Sequence, residues 1–446
     1  MKELFGTDGI RGHAGEFPLD EATVRIIGSS LARQFRERLG RDALFLSGRD
    51  TRESGESIET AFHAGAATAG AKCVSAGVIT TPGVAYLTGE FGLDAGIVIS
   101  ASHNPYRDNG IKIFSPSGKK IDEATERQIE NDIRAGILVG DVVTDGLDES
   151  RAAEFRDSYI DHLAQKIEPF EPGFKMVIDC ANGASSALAA KVFSGLNAEV
   201  VIINNAPDGR NINEGCGSLH LDKLREKVLD ERADLGVAFD GDADRALFVN
   251  ERGEIVDGDA TLWIMARYLK SHGKLTNAKI IATVMSNIGL EIALKNTGIE
   301  LGRTSVGDKY VLEELLNSGA EIGGEQSGHI IFPENSLVGD GMMTAILVLR
   351  AIREKGVSLS GASDGFAAYP QILINVKVQQ KLPFESVEAI AAAAKDVEEK
   401  LEGHGRLLLR YSGTENLARV MIEGRDQAEV ETLATGLADV IAEALG

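Results

Sequence analysis

FKMVIDC (residues 174–180) opens the stretch of sequence that decides the fold. Two more apolar runs follow, AEVVIINN (residues 198–205) and DLGVAFD (residues 234–240), and helix-like runs lie between them at residues 186–196 and 221–233. Strands that alternate with helices in this order predict a βαβαβ unit with a largely parallel, buried sheet. In such sheets ligands bind at the carboxyl ends of the strands, so the loop after DLGVAFD is a candidate site.

The same alternation occurs on both sides of this stretch. ALFLSG, KCVSAGVI and AGIVIS precede it, and KIIATVMS, IELGRTS and AEIGGEQ follow it. Near the end, the strand QILINVKV precedes a long helix, two further strands and a last helix over residues 427–445, which predicts a small α+β domain. We therefore predict an α/β protein of three successive domains with mixed or parallel sheets (residues 1–150, 151–252 and 253–366) and a C-terminal α+β domain (residues 367–446).

The composition excludes several classes of partner. The chain has 446 residues and a net charge of −22, so we expect neither nucleic acid nor an anionic membrane surface to bind it. Its three scattered cysteines form no CxxC pair and no disulfide framework. No run approaches the ~18 apolar residues of a membrane helix, and the start of the sequence has no long apolar region, so we expect a cytoplasmic protein.

An acidic loop follows the strand DLGVAFD. Asp240, Asp242 and Asp244 alternate along it, and three carboxylates so close together repel one another unless a cation lies between them. Hard divalent cations such as Mg²⁺ take oxygen ligands of this kind, so the loop predicts a magnesium site. Arg245 comes next and could hold a phosphoryl group whose charge the metal also neutralises.

Two other kinds of loop begin with the same acidic pattern. An EF-hand needs a glycine at its sixth position and a helix before it, whereas this chain has Arg245 there and a strand before the loop. A phosphohydrolase would use Asp240 as nucleophile and Asp242 as acid, and its loop also follows a strand. The hydrolase stays open as an alternative, but it assigns no role to Ser102.

Ser102 lies in ISASHNPYRDNGIKIF (residues 99–114), directly after the apolar run AGIVI. His103 follows it at once, and Lys112 comes later in the same stretch. A serine in this place can be a turn residue, a nucleophile or a hydroxyl that carries a phosphate.

Two further loops combine glycines with polar side chains. GGEQSGH (residues 323–329) presents Glu325 and Ser327, which could hydrogen-bond neighbouring sugar hydroxyls, and ends in His329. RYSGTEN (residues 410–416) suits a phosphate that stays bound while chemistry happens elsewhere, through Arg410, Ser412, Gly413 and Thr414. Taken alone, each loop could equally be an ordinary turn.

An anionic ligand of so acidic a protein needs a local group of basic residues. We predict that this group contains Arg11, Arg49, Arg52, Lys112, Arg245 and Arg410. The histidines within or beside helix-like segments, His63, His162, His220 and His272, are expected to be structural, whereas His103 and His329 lie in the polar loops.

Four motifs, SASHNP, DGDADR, GGEQSGH and RYSGTEN, occur in this order, one in each predicted domain. With them the chain resembles the α-D-phosphohexomutases over its whole length, from FGTDGIRG through NINEGCGS and YPQILINVKV to the last domain. The resemblance implies four domains around a central cleft, with Ser102 as a phosphoserine at its centre. The loop GGEQSGH, which contains Gln326, resembles the glucosamine branch of the family, because mannose and glucose mutases usually carry methionine at that position.

The resemblance also assigns roles to single residues. It implies that Asp240, Asp242 and Asp244 hold one Mg²⁺ together with the Ser102 phosphate, and that Glu325 and Ser327 recognise sugar hydroxyls. The substrate's other phosphate would contact Arg410, Ser412, Gly413 and Thr414, while His103 and Lys309 are further substrate-binding candidates. Arg11, Lys112, Arg245 and His329 are the remaining catalytic candidates, with Lys112 as the first choice for general base and His329 as the second.

The implied reaction interconverts a hexosamine 6-phosphate and its 1-phosphate. Phospho-Ser102 would give its phosphoryl group to the 6-phosphate, form a 1,6-bisphosphate, and take the other phosphoryl group back after the intermediate turns over. The resemblance implies glucosamine 1,6-bisphosphate or glucose 1,6-bisphosphate as activator, a monomer or homodimer, and a product that feeds UDP-N-acetylglucosamine and cell-wall synthesis. Phosphomannomutase or phosphoglucomutase activity, a phosphohydrolase using Asp240, and a cation-dependent sugar-phosphate binding protein are the alternatives.

The sequence departs from the family pattern at three positions. Asn416 stands where proline is usual, and Tyr411 stands where proline or lysine is common. Both departures could change the stiffness of the phosphate loop. Lys309 stands where the glucosamine branch usually has arginine, which could weaken a bidentate contact.

Overall fold

The computed structural model describes residues 4–137, 139–140, 146–412 and 416–446. It divides into two compact units. The larger unit contains the chain up to Met285 together with Leu301–Asp364, and the smaller one contains Ser286–Glu300 and Gly365–Gly446. The division places one short segment of the predicted third domain in the unit that holds the C-terminal domain, and the four predicted domain boundaries stay predictions.

The first part of the larger unit is built on a six-stranded sheet in the order β1-β2-β6-β5-β3-β4. Its strands are β1 (Phe5–Gly6), β2 (Gly9–His13), β3 (Leu44–Arg49), β4 (Lys72–Val78), β5 (Ala95–Ile99) and β6 (Asp108–Phe114), and its helices are α1 (Glu21–Leu39), α2 (Gly55–Thr68), α3 (Thr81–Glu90) and α4 (Glu123–Ala135). β3 is parallel to β4 and β5, whereas β6 is antiparallel to β5 and to β2. The short connection from β5 to β6 explains the antiparallel pairing, because parallel strands need a longer crossover.

A second, five-stranded sheet follows in the order β11-β10-β9-β7-β8. Its elements are α5 (Ala152–Ala164), β7 (Lys175–Asp179), α6 (Ala189–Val192), β8 (Glu199–Ile203), α7 (Asp222–Glu231), β9 (Leu235–Phe239), β10 (Ala246–Asn250) and β11 (Ile255–Val256). β7 is parallel to β8 and β9, as the βαβαβ pattern predicts, and β10 returns antiparallel to β9. Every residue of β5 and β9 is buried, which agrees with the continuous apolar sequence of both strands.

A four-stranded sheet in the order β13-β12-β14-β15 completes the series of α/β sheets. The elements in this part of the chain are α8 (Gly258–Ser271), β12 (Lys279–Thr283), α9 (Ile288–Asn296), β13 (Glu300–Thr304), α10 (Asp308–Ser318), β14 (Gly323–Gly324), β15 (Ile330–Ile331), α11 (Gly341–Lys355) and α12 (Leu359–Ser363). The strands β14 and β15 enclose the loop that contains Glu325 and Ser327.

The C-terminal domain is a three-stranded antiparallel sheet in the order β16-β18-β17. It consists of β16 (Gln371–Lys377), α13 (Glu388–Leu401), β17 (Gly405–Tyr411), β18 (Leu417–Gly424) and α14 (Gln427–Leu445). The predicted fold class is confirmed: three mixed sheets with helices precede a C-terminal sheet domain. No helix in the described ranges combines the length and the apolar character that crossing a membrane requires.

One predicted helix is wrong in its continuity. Residues 186–196 form the four-residue helix α6 between two short 3₁₀ segments instead of one continuous helix. The chain just before them is bound elsewhere, because the Ala184 N–H donates to the Gly241 carbonyl at 2.8 Å. A Cβ on Gly183 would lie only 2.3 Å from the same oxygen, so this segment is pressed against the acidic loop.

Candidate active site

Ser102 lies at the end of β5 in a conformation that its neighbours hold in place. Its φ is 53°, in the left-handed region that a serine seldom adopts. The Ser102 N–H donates to Ser100 Oγ at 2.9 Å, and Ser100 Oγ in turn donates to Asp50 at 2.6 Å. The side chain is 1% exposed, and its hydroxyl donates to Asp240 Oδ2 at 2.5 Å.

Two side chains bind the backbone carbonyls of this serine loop. Arg52 donates to the carbonyls of Ser102 and Asn104 at 3.0 and 2.9 Å. Asn213, from the segment between β8 and α7, donates to the same two carbonyls at 2.9 and 3.1 Å. A Cβ on Gly241 would lie 2.5 Å from the Ser102 carbonyl, so glycine is required where the acidic loop passes the serine loop.

The acidic loop joins β9 to β10 and brings its three carboxylates together. One oxygen from each of Asp240, Asp242 and Asp244 lies within 4.8 Å of the other two, and all three residues are buried. Thr81 donates to Asp242 Oδ2 at 2.5 Å, and the Arg245 N–H donates to Asp240 Oδ1 at 3.2 Å. The first turn of α3 and the start of β10 thus fix the loop from two sides.

These carboxylates fit a hard divalent cation. Asp242 Oδ1 and Asp244 Oδ1 are buried oxygens without a hydrogen-bond partner in the described part of the chain. Burial raises the pKa of Asp240 well above its ordinary value, and the charges of Asp244 and Asp242 raise it further. A cation among the oxygens would supply the missing partner and relieve this repulsion, as an all-oxygen donor set does for Mg²⁺.

Lys112 lies beside this group because β6 pairs with β5 in the register that places Lys112 opposite Val98. Its ammonium group is 2.9 Å from Asp242, 3.3 Å from Asp244 and 2.9 Å from Asp8. Burial disfavours its charge, but the three carboxylates outweigh burial and raise the pKa of Lys112 well above its ordinary value. This shift favours the protonated ammonium group while no cation offsets the charge of the carboxylates, and the role of Lys112 as general base stays a prediction.

His329, the second candidate for general base, also lies beside a carboxylate of the acidic loop, and its role stays a prediction. Burial lowers its pKa, but Asp244, 3.6 Å away from Nδ1, outweighs burial and raises the pKa to about 9. The Gly339 N–H donates to Nε2 at 3.1 Å, an interaction that favours the neutral ring and opposes this shift. His103, with Nδ1 3.4 Å from Ser102 Oγ, is different: burial, with Arg245 and Arg11 nearby, lowers its pKa to about 4.

Two half-buried arginines offer donors that fit an anion near the carboxylates. Arg11 Nη2 lies 2.5 Å from Asp8, and Arg245 Nε lies 3.7 Å from Asp244. The Nε atoms of both arginines are buried and have no hydrogen-bond partner among the residues that the structure describes. A phosphoryl group could accept hydrogen bonds from these two Nε–H groups, whereas the nearby carboxylates already pair with Lys112.

The predicted sugar loop joins β14 to β15. Glu325 Oε1 accepts from the Gly307 N–H at 3.1 Å, and Ser327 Oγ donates to Glu325 Oε2 at 3.3 Å. Gln326 donates to Asp257 at 3.3 Å. The side chains of this loop are only half-buried, so they can reach a ligand, and the role in sugar recognition stays a prediction.

The predicted phosphate loop lies in the C-terminal domain, after β17. Gly413 and Thr414 lie outside the described residues. Ser412 is buried, and its carbonyl accepts from Lys381 Nζ at 2.6 Å. Burial, with Arg419 close by, lowers the pKa of Arg410, because the two arginines lie opposite each other on β17 and β18.

Two basic residues contact carboxylates away from the acidic loop. Lys309 Nζ is 2.7 Å from Glu123, and its side chain is 41% exposed. Arg49 pairs with Glu59 at 2.6 Å and with Glu149 at 2.8 Å, so its prediction as part of the basic group is wrong. Arg52 holds the serine loop instead of facing a ligand.

The sequence interpretation missed several residues that shape this centre. Asp8 links Arg11 to Lys112, Thr81 fixes Asp242, and Asn213 holds the serine loop. The motif NINEGCGS contains Asn213 but suggests no contact partner, and Thr81 lies in no polar cluster. The contacts of these residues join parts of the chain that lie far apart in the sequence, so no local pattern contains them.

The chain is similar to known proteins along its whole length. Four family models described as phosphoglucomutase/phosphomannomutase match the chain: the alpha/beta/alpha domains I, II and III over residues 2–138, 157–253 and 257–369, and the C-terminal domain over residues 373–440. A protein of Solibacter usitatus named phosphoglucosamine mutase is 46% identical over 445 residues, which cover 100% of this chain and 99% of that protein.

Two solved structures share the fold at lower identity. A phosphoglucomutase/phosphomannomutase family protein from Burkholderia thailandensis is similar with a TM-score of 0.80 and 24% identity, covering 99% of this chain and 97% of that one. The Aspergillus fumigatus N-acetylphosphoglucosamine mutase, solved in complex with GlcNAc-6P and magnesium, has a TM-score of 0.69 and 18% identity, covering 99% and 96% of the two chains.

Proposed function

The chain belongs to the phosphoglucomutase/phosphomannomutase family, and we propose that it interconverts glucosamine 6-phosphate and glucosamine 1-phosphate. One observation carries the proposal: the Ser102 hydroxyl, 1% exposed, lies 2.5 Å from an aspartate of a three-carboxylate group that fits a divalent cation. The name of the Solibacter relative, which matches this chain from end to end, supports glucosamine phosphate as the substrate.

The reaction proceeds as two phosphoryl transfers in opposite directions. The bond from phosphorus to Ser102 Oγ breaks while a bond from phosphorus to O1 of glucosamine 6-phosphate forms, and the O1 proton passes to a general base, for which Lys112 is the first candidate and His329 the second. The glucosamine 1,6-bisphosphate then turns over in the site. In the second transfer the bond to O6 breaks, the bond to Ser102 Oγ forms again, and O6 takes up a proton.

The chain's own residues contribute mainly position and charge. Arg52 and Asn213 hold the Ser102 carbonyl, so the hydroxyl keeps one direction through both transfers. Lys112, Arg11, Arg245 and His329 place positive charge beside the carboxylates, where it can stabilise the phosphoryl oxygens. The neutral ring of His103 lies next to Ser102 Oγ and contacts substrate from there.

Asp240, Asp242 and Asp244 would hold one Mg²⁺, with an oxygen of the Ser102 phosphate as a further ligand. When bound, the ion neutralises charge on the phosphoryl group during transfer. Glucosamine 1,6-bisphosphate or glucose 1,6-bisphosphate would restore the phosphoserine after it is lost. This activator is expected because a bisphosphate that escapes leaves Ser102 without a phosphoryl group.

Recognition of the substrate uses the more exposed loops. Glu325 and Ser327 bind sugar hydroxyls, Gln326 favours the amino sugar, and Lys309 is a further substrate contact once it leaves Glu123. The phosphate that is not being transferred binds Arg410, Ser412, Gly413 and Thr414. We keep a cytoplasmic location and a monomer or homodimer as predictions.

A coupled assay with four pairs of sugar phosphates tests the proposal. Purified protein with Mg²⁺ and a trace of glucose 1,6-bisphosphate is given the 6-phosphates of glucosamine, N-acetylglucosamine, glucose and mannose, and both 1-phosphate and inorganic phosphate are measured. We expect the highest kcat/KM for glucosamine 6-phosphate. Higher kcat/KM for glucose or mannose would assign one of the sibling activities, release of inorganic phosphate would assign the hydrolase, and binding without turnover would assign the binding protein.

A further inference from the structure

Lys120 forms an ionic bridge that no catalytic role requires. It follows β6 in the loop before α4, and its side chain is 18% exposed. The ammonium group lies 2.6 Å from Asp308 Oδ2, 2.8 Å from Asp8 Oδ1 and 2.8 Å from the Thr7 carbonyl. An ammonium group has three protons to donate, so these three acceptors satisfy it completely.

At one end of the bridge, Asp8 contacts residues of the phosphoryl-transfer centre. Asp8 accepts from Lys120 on Oδ1, and its other oxygen, Oδ2, lies 2.9 Å from Lys112 Nζ and 2.5 Å from Arg11 Nη2. Lys112 in turn contacts Asp242 and Asp244. A displacement of Asp8 would therefore be felt by both cations that face the reacting phosphoryl group.

The other end holds the segment that supports the sugar loop. Asp308 is the first residue of α10, and the residue before it, Gly307, donates its N–H to Glu325 Oε1 at 3.1 Å. The backbone of Gly307 also runs close to the first sheet, because a Cβ placed on it would lie 3.3 Å from Thr7 Cγ2. The carboxylate that recognises the sugar is thus two contacts away from Lys120.

The space around Asp308 and Lys120 is only partly packed. A cavity of about 360 Å³ lies beside the bridge, lined among others by Phe114, Leu312 and Val338. Because this space is not filled by side chains, apolar packing on this side holds Asp308 weakly, and the ionic contact with Lys120 supplies a tether there.

We propose that Lys120 is a positioning residue that tethers the Gly307–Asp308 segment, which supports Glu325 of the sugar-recognition loop, to the phosphoryl-transfer centre. The inference rests on the proposed mutase function, and it adds a residue that helps to align the reacting hydroxyl with the phosphoserine. Substrate still binds without the bridge, because its phosphate and sugar contacts remain. The reacting hydroxyl, however, is no longer held in line with the phosphoserine, and small misplacements of this kind are costly to the chemical step.

Lys120→Met tests the proposal, with Lys119→Met as the matched control. Lys119 is the exposed neighbour in the same loop. We expect kcat of Lys120→Met to fall about tenfold to a hundredfold while KM stays within about threefold, with phospho-Ser102 still formed. A lysine that only stabilised the fold would lower the amount of active protein and its thermal midpoint without separating kcat from KM in active enzyme.

A double-mutant cycle with Asp308→Asn isolates the bridge. If Lys120 acts through Asp308, Lys120→Met and Asp308→Asn should not add, and the double variant should lose no more kcat than the worse single variant. Additive losses would overturn the proposal, as would a kcat of Lys120→Met within about twofold of Lys119→Met.

A measurement independent of turnover separates this proposal from the function it rests on. Hydrogen exchange of residues 306–312 should be faster in Lys120→Met than in wild type and in Lys119→Met, because Asp308 loses its tether. Unchanged exchange there would overturn the proposal even if the mutase activity is confirmed. If wild type interconverts no glucosamine phosphate, the proposed function fails, and the exchange experiment still decides whether the bridge holds this segment.

Discussion

The serine and acidic loops differ from the sugar loop in how firmly the chain holds them. Ser102, Asp240, Asp242 and Lys112 are each at most 1% exposed, and the fold supplies hydrogen-bond or ionic partners for them. The side chains of Glu325, Gln326 and Ser327 are half-buried and have few hydrogen-bond partners. One of these partners is the backbone N–H of Gly307, which donates to Glu325. The comparison teaches that the groups proposed for the chemistry are held in place by the fold itself, whereas the groups proposed for sugar recognition keep hydrogen-bonding capacity for a ligand.

The largest effect should come from the centre itself. Ser102→Ala removes the hydroxyl that carries the phosphoryl group in the proposed reaction, so mutase turnover should fall on the order of 10⁴-fold or more. The fold should persist, because the interactions that hold the loop use the backbone of Ser102. Ser117→Ala, at an exposed serine after β6, is the control. Substantial activity of Ser102→Ala in a preparation free of other mutases would remove Ser102 from the mechanism.

Removal of one acidic ligand should be the next largest effect. Asp242→Asn takes away a charge that Lys112 contacts and that a bound cation would contact, so activity should drop roughly 10²–10³-fold and excess Mg²⁺ should not restore it. Asp230→Asn, at an exposed position of α7, provides the control. Calorimetric titration of Mg²⁺ checks the cause: an affinity equal to that of wild type would mean that the acidic loop is not the metal site.

The sequence predicts the single loops of the site better than it predicts the contacts between them. The strand before each loop and the limits of α14 follow from apolar patterning, and the acidic loop follows from local repulsion among its carboxylates. The contact from Ser102 to Asp240 spans 138 residues, and no local pattern contains it. The family resemblance, and not periodicity, brought these two residues together.

The protonation state of the candidate general base cannot be predicted from the sequence alone. Lys112 suggests a base when read alone, but its protonation depends on Asp8, Asp242 and Asp244, which approach it only in the folded sheet. The same holds for Arg49, whose partner Glu59 on α2 is unrelated to any ligand. Charges set by distant partners cannot be predicted from a motif.

On the recognition side, loss of Arg410 should have a moderate effect in both directions. Loss of a charged hydrogen-bonding group costs about 1.5–3 kcal/mol, so Arg410→Ala should lower kcat/KM roughly tenfold to a hundredfold for both sugar phosphates. Arg425→Ala, at an exposed arginine of the same domain, is the control. Intact-mass analysis should still find phospho-Ser102, and its loss would mean that Arg410 serves the reacting phosphoryl group instead.

The smallest effect should be a change of preference at the sugar loop. Gln326→Met removes the amide that contacts Asp257 and should shift the ratio of kcat/KM between glucosamine and glucose 6-phosphates by about tenfold towards glucose. The total rate with the preferred sugar should change less than this ratio. Steady-state kinetics with both sugars provides the measurement, and an unchanged ratio would exclude Gln326 as a determinant of specificity.

Single-turnover transfer of a labelled phosphoryl group tests the central claim most directly. The enzyme is labelled on Ser102 with radioactive glucose 1,6-bisphosphate, freed of excess reagent, and mixed with one equivalent of glucosamine 6-phosphate before rapid quenching. We predict that the label leaves Ser102 and appears first in glucosamine 1,6-bisphosphate, while intact mass shows that the enzyme regains one phosphoryl group as the 1-phosphate forms. Label that stays on Ser102 during turnover, or that appears as inorganic phosphate, would contradict the account.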